Sequence, residues 1–563
     1  MTSTMQAQTQ SQSKSISSPV PRNRTASKSA TKFLVFPVVT LILAQMGTSG
    51  DNGALAIATS ALTTQLHANM ASIQLSNMMY PLIAGSFMVA GGFIGTLFGW
   101  KRTFRVGAAL CAIGELISAL SPNIDVFNWG GRTFVGLGAS LLIPSVLGLI
   151  PKIYEGKHRA LAFGCVGAAA GGFSSFLPLA LGIVMGLSGF RVVYGVLSAY
   201  FIMLLLLSLR LPRISKTEVN HKFDVLGVTL AAIGFFLVLF GLSRISAWGL
   251  LEAFPQAPFT VFGLSPAIPL VIIGAIVLVV LGVVEKGVEE RNGVALLPQS
   301  FLKTPQVLAG LYAWLITFLF LGVQGILMGP YLQLVAGWSP AKVGVISVLS
   351  GLPTILVAIG LPKLLPNANP KRVIQLGYIV MIVALFIRSF SITLHSAIEW
   401  LVFVGTIVTG IGVGLINSQA SNVVALAVNE RDASQSGGVQ GVARNIGQAL
   451  GVGILGAVLL FGITANVGNA VRNSPVISSD VASAVTSKSI TLVGDEEFEK
   501  EIADVGATPE EKTELVRINA EQRYNVTRSA YVVAAAIVAF GLFTTRGITK
   551  FGEAAEQDER SER

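Results

Sequence analysis

The chain has 563 residues, of which 52% are hydrophobic and only 12% are charged, whereas soluble domains carry about 25% charged residues. The apolar residues recur in stretches of about 18 or more, the length of a membrane-spanning helix, which excludes an ordinary soluble protein. The net charge of +10 does not indicate nucleic-acid binding, because the basic residues cluster in short loops between the apolar stretches.

The sequence also lacks the residues for three kinds of site. Cys111 and Cys165 both fall inside apolar stretches, so no disulfide framework or cysteine metal site is expected. No Gly-x-x-x-x-Gly-Lys-Ser/Thr loop is present, so ATP is not expected to supply energy. The four histidines are scattered in loops and make no metal site: they are residues 67, 158, 221 and 395. We therefore expect no cofactor and no enzymatic activity.

In chain order, residues 1–32 are rich in Ser, Thr and Gln and indicate a disordered tail without a cleavable signal peptide. Apolar runs of about 20 residues then predict roughly fourteen membrane spans in an all-α protein. The predicted spans are 33–57, 76–98, 104–121, 127–150, 160–186, 191–210, 224–243, 262–284, 308–333, 341–361, 372–393, 399–426, 437–463 and 530–549.

Alternate loops differ in charge, which predicts the orientation. The loop 58–75 has no Lys or Arg, whereas basic residues follow spans two, four, six and ten: Lys101, Arg102, Arg105, Lys152, Lys157, Arg159, Arg210, Arg213, Lys216, Lys222, Lys363, Lys371 and Arg372. Both termini are therefore predicted to be cytoplasmic in a plasma-membrane protein, with 464–529 external. Two interpretations of the acidic stretch 494–525 remain open, an amphipathic helix or helical hairpin and a solvated spacer.

Three short segments recur in the same order. "KRTFRVG" (101–107) returns as "KRVIQLG" (371–377), "GRTFVGLG" (131–138) as "GTIVTGIG" (405–412), and "HRALAFG" (158–164) more loosely as "RDASQSG" (431–437). The offsets of 270, 274 and 273 residues predict two parallel halves with a central site. The predicted domains are a tail 1–32, a six-helix bundle 33–210, two extra spans within 211–307, a six-helix bundle 308–549 and a cytoplasmic tail 550–563.

Three ionisable residues lie inside the first four spans: Asp51, Glu115 and Arg132. Charges near the bilayer centre cost about 2.5–3.5 kcal/mol on insertion scales, so they normally face a cavity or a partner. Thr406 occupies the position in the second repeat that is equivalent to Arg132 in the first. Packing of the repeated helices alone therefore does not require an arginine at this position. For Asp51 a proton or cation site and a helix-break role are open. For Glu115 a second proton site, a cation contact and a counter-ion to Arg132 are open.

Several stretches together resemble the major facilitator superfamily, in its fourteen-helix drug:proton antiporter branch. "RTFVGLGASLLIP" (132–144), with Gly136, Gly138 and Pro144, resembles the fourth-helix motif Arg-x-x-x-Gly-x-Gly-Ala, then Pro. "DNGALAIA" (51–58) resembles the first-helix motif, "FDVLG" (223–227) with Asp224 the start of the first extra helix, and "YLQLVAGWSPAKVG" (331–344) and "ARNIGQALGVGILG" (443–456) two later motifs. The resemblance implies that Asp51 and Arg132 couple protonation to transport.

Two motifs depart from the family pattern. In "GFIGTLFGWKR" (92–102), Gly92, Gly99, Lys101 and Arg102 persist, but Thr96 and Leu97 replace the usual Asp and Arg. In "LPLALG" (177–182), Pro178 and Gly182 persist, but Leu177 and Leu181 replace glycines. These changes weaken the specific expectation of drug antiport.

The function we expect is proton-coupled export of lipophilic or cationic small molecules by a monomer in the lipid bilayer. A dedicated metabolite, siderophore or lipid transporter and a non-transporting membrane scaffold are the alternatives. Arg388 is expected to extend to the membrane surface, and Arg444 to have a gating or interhelical role. Five polar residues are predicted as possible cavity residues: Asn77, Gln324, Gln333, Asn417 and Gln419.

Overall fold

The structure is all-α, as the apolar runs predict. The computed structural model describes residues 34–154, 176–212, 224–249, 263–292, 303–365, 368–427, 433–486 and 494–548, with isolated residues between these ranges. This part of the chain forms sixteen α-helices and no sheet, with only two isolated bridges. The predicted tails 1–32 and 550–563 lie outside the described residues, as do about half of the predicted fifth span 160–186, most of the repeat segment 158–164, and residues 431–432 of the repeat segment 431–437.

The helices are α1 Val35–Ile57, α2 Thr59–Leu66, α3 Met70–Phe98, α4 Trp100–Leu120, α5 Thr133–Ile153, α6 Phe176–Leu209, α7 Val225–Trp248, α8 Ala267–Asn292, α9 Pro305–Pro330, α10 Pro340–Leu364, α11 Pro370–Ser391, α12 Glu399–Leu426, α13 Ala433–Asn473, α14 Ser479–Thr486, α15 Asp495–Glu501 and α16 Pro509–Thr544. Two π-helical segments, Val126–Arg132 and Tyr331–Val335, precede α5 and follow α9.

Among the described residues, twelve helical segments are long and apolar enough to cross a membrane. This number is two lower than the fourteen spans that the apolar runs predict. The 23-residue α1 is not among the twelve, because polar residues including Asp51 lower its hydropathy. The 34-residue α6 counts once, although Gly189 inside it has φ +80°, outside the helical region.

Two helices are much longer than a bilayer is thick. α13 has 41 residues and α16 has 36, whereas about 20 residues cross the hydrocarbon core. The predicted spans 437–463 and 530–549 therefore describe only part of each helix. Their extensions, with α14, α15, α2 and Tyr331–Val335, lie at one end of the molecule, which we call the capped end.

The segment between α13 and the apolar part of α16 is folded onto the protein. Phe498 of α15 is buried in the core of the second half. Arg523 donates to the Asp495 carboxylate at 2.9 Å and to the Leu394 carbonyl at 3.1 Å. Thr508 and Glu511 form a capping box that fixes the start of α16. A solvated spacer, one of the two interpretations of this segment, is therefore wrong, and the helical interpretation is confirmed.

The repeated segments make the same helix contact twice. In the first half, a Cβ at Gly107 would lie 2.8 Å from the carbonyl oxygen of Gly138. In the second half, a Cβ at Gly377 would lie 3.1 Å from the carbonyl oxygen of Gly412. Small residues at these positions let α4 approach α5, and α11 approach α12, with backbones almost in contact.

The helices of 33–210 and those of 308–549, which we call the first and second halves, meet closely at the capped end. A Cβ at Gly182 of α6 would lie 2.8 Å from the Pro340 carbonyl oxygen, and one at Gly344 of α10 would lie 2.8 Å from the Leu179 Cα. The Ser60 amide donates to the Gln333 side chain at 3.4 Å. One buried apolar cluster contains residues of both halves there, among them Leu62, Phe190, Leu332 and Trp338. The halves are thus packed together at this end.

Candidate functional site

Asp51 lies in a continuous part of α1. Its two flanking glycines allow α6 to approach, because a Cβ at Gly50 would lie 2.4 Å from Leu177 Cδ2 and one at Gly53 would lie 2.6 Å from Pro178 Cγ. α1 runs unbroken from Val35 to Ile57. The helix-break alternative for Asp51 is therefore wrong, and the glycines serve packing.

Asp51 and Arg132 form a bidentate ion pair. Arg132 Nη1 donates to Asp51 Oδ1 at 2.8 Å, and Nη2 donates to Oδ2 at 3.0 Å. Both side chains are 0% exposed. Arg132 is the last residue of the π-helical segment before α5, and its guanidinium also lies 6.0 Å from the centre of the Tyr80 ring. The planar fork of an arginine matches a carboxylate in this geometry, which an ammonium group cannot reproduce.

Glu115 of α4 completes the cluster. It is also fully buried, and it interacts with both Asp51 and Arg132. Neither of its carboxylate oxygens has a hydrogen-bond partner among the described residues. Because the guanidinium is already used by Asp51, Glu115 has no cation of its own. Two acids and one base carry a net charge of −1 when all are ionised, and one added proton makes the cluster neutral.

Two buried tyrosines, Tyr80 and Tyr194, lie beside this cluster. Tyr194 of α6 is fully buried, its hydroxyl has no hydrogen-bond partner among the described residues, and its ring lies 5.1 Å from that of Phe127. One turn before Glu115, the Cys111 thiol lies 3.7 Å from the Val135 carbonyl oxygen. Apolar and aromatic walls strengthen electrostatic interactions inside the site, and a change of protonation there has a large effect on its neighbours.

The glycine and proline residues of the motifs position these helices. A Cβ at Gly136 would lie 2.7 Å from Ile83 Cβ, and one at Gly138 would lie 2.5 Å from Cys111 Sγ. A Cβ at Gly92 would lie 3.8 Å from Pro144 Cβ, which is ordinary contact. These residues bring α3, α4 and α5 together and so fix where Arg132 and Glu115 lie.

The loop between α3 and α4 keeps some contacts of its motif. Gly99 has φ +95° and separates the two helices. Lys101 Nζ donates to the Leu211 carbonyl, whereas Arg102 is exposed. Thr96, which replaces the usual acid, donates to the Phe93 carbonyl within its own helix at 2.7 Å. Elsewhere, Asp224 accepts a hydrogen bond from the Gly227 amide at 2.8 Å and caps α7.

A second polar cluster lies in the second half, and sequence reasoning missed it. Arg388 of α11 donates to Gln324 Oε1 at 2.5 Å and to Thr406 Oγ1 at 3.0 Å. Arg388 is 3% exposed, so the expectation that it extends to the membrane surface is wrong. The internal repeat could have indicated this cluster. Gln324 follows Asp51 by 273 residues and Thr406 follows Arg132 by 274, both within the repeat offsets.

The other predicted polar residues contact different parts of the protein. Asn77 donates to the Ile73 carbonyl of its own helix, and Gln333 contacts Ser60 across the two halves. Asn417 Oδ1 is buried without a hydrogen-bond partner among the described residues, and Gln419 is buried. Arg444 of α13 lies 3.6 Å from the centre of the Trp314 ring of α9.

The model of one protein family, the Major Facilitator Superfamily, matches residues 41–452. The probable actinorhodin transporter of Streptomyces coelicolor is 26% identical over 419 residues, 73% of this chain and 70% of that protein. The tetracenomycin C resistance and export protein of Streptomyces glaucescens is 25% identical over 540 residues, 91% of this chain and 90% of that protein. The multidrug resistance protein Stp of Mycobacterium tuberculosis is 24% identical, with 69% of each chain covered.

Solved structures share the fold. A bacterial homologue of the human lysosomal transporter Spinster, in an inward-facing and occupied conformation, has a TM-score of 0.57 at 14% identity, covering 91% of this chain and 96% of that one. A proton-dependent oligopeptide transporter has a TM-score of 0.53 at 16% identity, covering 91% of this chain and 99% of that one. At these identities the likeness concerns the fold alone.

Proposed function

The chain belongs to the Major Facilitator Superfamily, and on that premise we propose that this multi-pass membrane transporter exports lipophilic or cationic small molecules by proton-coupled alternating access. The observation that carries the proposal is the buried Asp51–Arg132 pair with Glu115 beside it. Burying three ionisable groups in a membrane protein is costly, and such groups typically mark proton or substrate pathways. Relatives named as antibiotic or multidrug exporters support the direction and class of cargo.

Glu115 is the proposed proton carrier in this structure. A carboxylate in a dry site without its own cation is unfavourable, whereas the protonated acid is neutral and needs only hydrogen bonds. Asp51 accepts hydrogen bonds from Arg132 through both of its oxygens, and we expect this pair to rearrange when the protonation of Glu115 changes. Loss of the Glu115 proton would leave two carboxylates competing for one guanidinium, and the ion pair would rearrange. Proton release and helix movement are coupled in this scheme.

The proposed topology has fourteen spans with both termini in the cytoplasm of the plasma membrane. α1 adds one span, because its 23 residues are long enough to cross the bilayer. Division of α6 at Gly189 adds another. The bundles are 33–210 and 308–549, with α7 and α8 as the extra spans. The proposed working unit is a monomer.

The capped end is the proposed external face, because 464–529 lies there and alternate loops carry the basic residues. The tight contacts of Gly182 and Gly344 at that end then correspond to a closed external gate. Export requires this contact to open and the opposite end to close, by movement of one half against the other around the central site.

Driven flux in proteoliposomes tests the proposal. The purified protein is reconstituted, a pH gradient is imposed, and movement of a fluorescent lipophilic dye is recorded with and without a protonophore. We expect dye movement against its own gradient, abolished by the protonophore. Dye movement that follows only the dye gradient at every imposed pH would exclude proton coupling.

A further inference from the structure

The charges inside the membrane-spanning helices are divided unevenly between the two halves. The first half holds two acids and one base in the Asp51 cluster. In the second half, the predicted spans from 308 to 463 and 530–549 contain a single acid, Glu399, at the start of α12. That acid pairs with Lys342 at 2.7 Å. Arg388 is therefore buried, and Arg444 partly buried, in helices that supply them with no carboxylate.

The two arginines differ in what surrounds them. Arg388 has neutral acceptors on two neighbouring helices, Gln324 Oε1 and Thr406 Oγ1, so its charge is solvated by the protein. Arg444 has no hydrogen bond or ion pair with any described residue, and its Nε is buried without a partner. Its visible contacts are aromatic: its guanidinium carbon lies 3.6 Å from the Trp314 ring centre and 5.6 Å from that of Phe318.

Trp314 is itself held in place. Its indole Nε1 donates to Gln440 Oε1 at 2.9 Å, and Gln440 lies one turn before Arg444 on α13. The Ser421 hydroxyl of α12 donates to the same oxygen at 3.2 Å. The stack of Arg444 on Trp314 is thus supported by three helices of the second half.

The position of Arg444 on α13 places it beside the boundary between the halves. On one side of α13, Gly441 packs against Met88 of α3, and Asn445 packs against Gly85 of α3. On the other side, Gly447 packs against Leu315 of α9. Successive helical residues are about 100° apart, so Arg444 lies between the face toward the first half and the face toward α9.

We propose that Arg444, backed by Trp314, binds the acidic group of the transported molecule. The cargo is then a lipophilic molecule with a carboxylate or a similarly acidic group, which narrows the class of cargo proposed above and rests on that function. A guanidinium offers a planar array of donors that pairs with a carboxylate in a bidentate manner. The aromatic rings beside it fit the apolar body of such a molecule.

The first half supports the same charge preference. Asp51 uses both oxygens on Arg132, and Glu115, although unpaired, is fully buried, so neither carboxyl group is accessible to a cationic cargo in this structure. An acidic cargo is attracted to Arg444 in the second half, because no described carboxylate of the protein pairs with this arginine. Proton uptake and cargo binding are then assigned to different halves of the protein.

Binding of three matched probes tests the proposal. The probes are 2-naphthoate, its neutral analogue 2-naphthamide and the cation 2-naphthylmethylammonium, titrated into the purified full-length protein by calorimetry. We expect wild type to bind the naphthoate most tightly. Arg444→Gln should weaken naphthoate binding by roughly tenfold or more and change naphthamide binding little. Arg444→Lys should keep part of the preference, because it retains the charge but loses the planar fork.

Arg388→Gln is the matched control. It removes a buried arginine from the same half, at a position whose partners are protein side chains, so it should keep the preference for the acid. Equal binding of the three probes by wild type, tighter binding of the cation, or no binding of the naphthoate would overturn the proposal. An unchanged preference in correctly folded Arg444→Gln and Arg444→Lys would also overturn it.

The outcome is separable from that of the proposed function. Proton-driven flux without a charge preference would leave the transport proposal intact and remove the role of Arg444. A charge preference that depends on Arg444, in a protein without proton-driven flux, would support the binding site and remove the transport proposal.

Discussion

Asp51 and Arg132 are paired through both carboxylate oxygens and both Nη atoms, so neither charge can be removed without leaving the other buried without its partner. Breaking one partner of a buried pair costs about 3–5 kcal/mol in soluble proteins. The sequence identifies all three members of the cluster, because charges are rare inside apolar spans. It does not predict which acid takes the arginine, because that depends on the relative positions of α1, α4 and α5. Only the structure shows that Asp51 accepts hydrogen bonds from both Nη atoms of Arg132 and that Glu115 accepts none from this arginine.

Glu115→Gln distinguishes a proton site from a counter-ion. The amide keeps the shape of the side chain, cannot release a proton and can donate to Asp51. We expect an unfolding midpoint within a few degrees of wild type and a lower number of protons moved per cargo molecule. The ratio is measured from the pH gradient that just balances an opposing cargo gradient. A lowered midpoint with an unchanged ratio would make Glu115 a counter-ion instead.

At the scale of the helices, apolar runs predict most spans but not where the helices end. α13 and α16 continue far past their apolar parts because 464–529 folds against the second half, and the capping box at Thr508 and Glu511 begins α16 outside its predicted span. The recurrence of 101–107 at 371–377 holds real packing information, since Gly107 and Gly377 make equivalent close contacts. Contacts between distant helices, such as Gly182 with Pro340, have no local signal in the sequence.

Gly182→Ala is predicted to hinder closure at the capped end. The added Cβ would lie 2.8 Å from the Pro340 carbonyl oxygen, so the halves must separate slightly there. Overpacking of this kind costs about 1–3 kcal/mol, which shifts a two-state equilibrium by roughly fivefold to more than a hundredfold. We expect a severalfold lower initial rate of driven flux with little loss of thermal stability.

Gly186→Ala, one turn further along α6, is the control for this substitution, because nothing lies within 4 Å of a Cβ at that position. It should transport like wild type. Equal rates for the two alanine variants would show that the Gly182 contact does not limit transport.

For the whole molecule, the sequence predicts the all-α transporter fold, and the family match confirms it. The orientation in the membrane is a prediction from loop charge. Single cysteines at position 20 and in place of the exposed Lys500, in a variant without Cys111 and Cys165, test it in intact cells with a membrane-impermeant maleimide. We expect labelling at 500 and none at 20. Labelling at 20 without labelling at 500 would reverse the topology.

We propose that protonation in the Asp51 cluster drives transport, and Asp51→Asn removes the paired acid itself. Asparagine retains one acceptor oxygen for Arg132 but carries no charge, so Arg132 loses one of its two hydrogen bonds at this position. The residue pair can then no longer change its charge by binding or releasing a proton. Asp51→Glu, which keeps the acid, is the control. The protein is quantified as folded, reconstituted monomer before flux is measured, because loss of the ion pair is expected to lower stability.

The measurement is flux driven by an imposed pH gradient in proteoliposomes across a range of pH. The account predicts that Asp51→Asn loses at least about nine-tenths of the driven flux and its dependence on pH, a change in activation free energy of about 1.4 kcal/mol or more, while Asp51→Glu keeps a measurable part of both. Wild-type flux with unchanged pH dependence in Asp51→Asn would contradict the account and leave the Asp51–Arg132 pair as a structural link between α1 and α5.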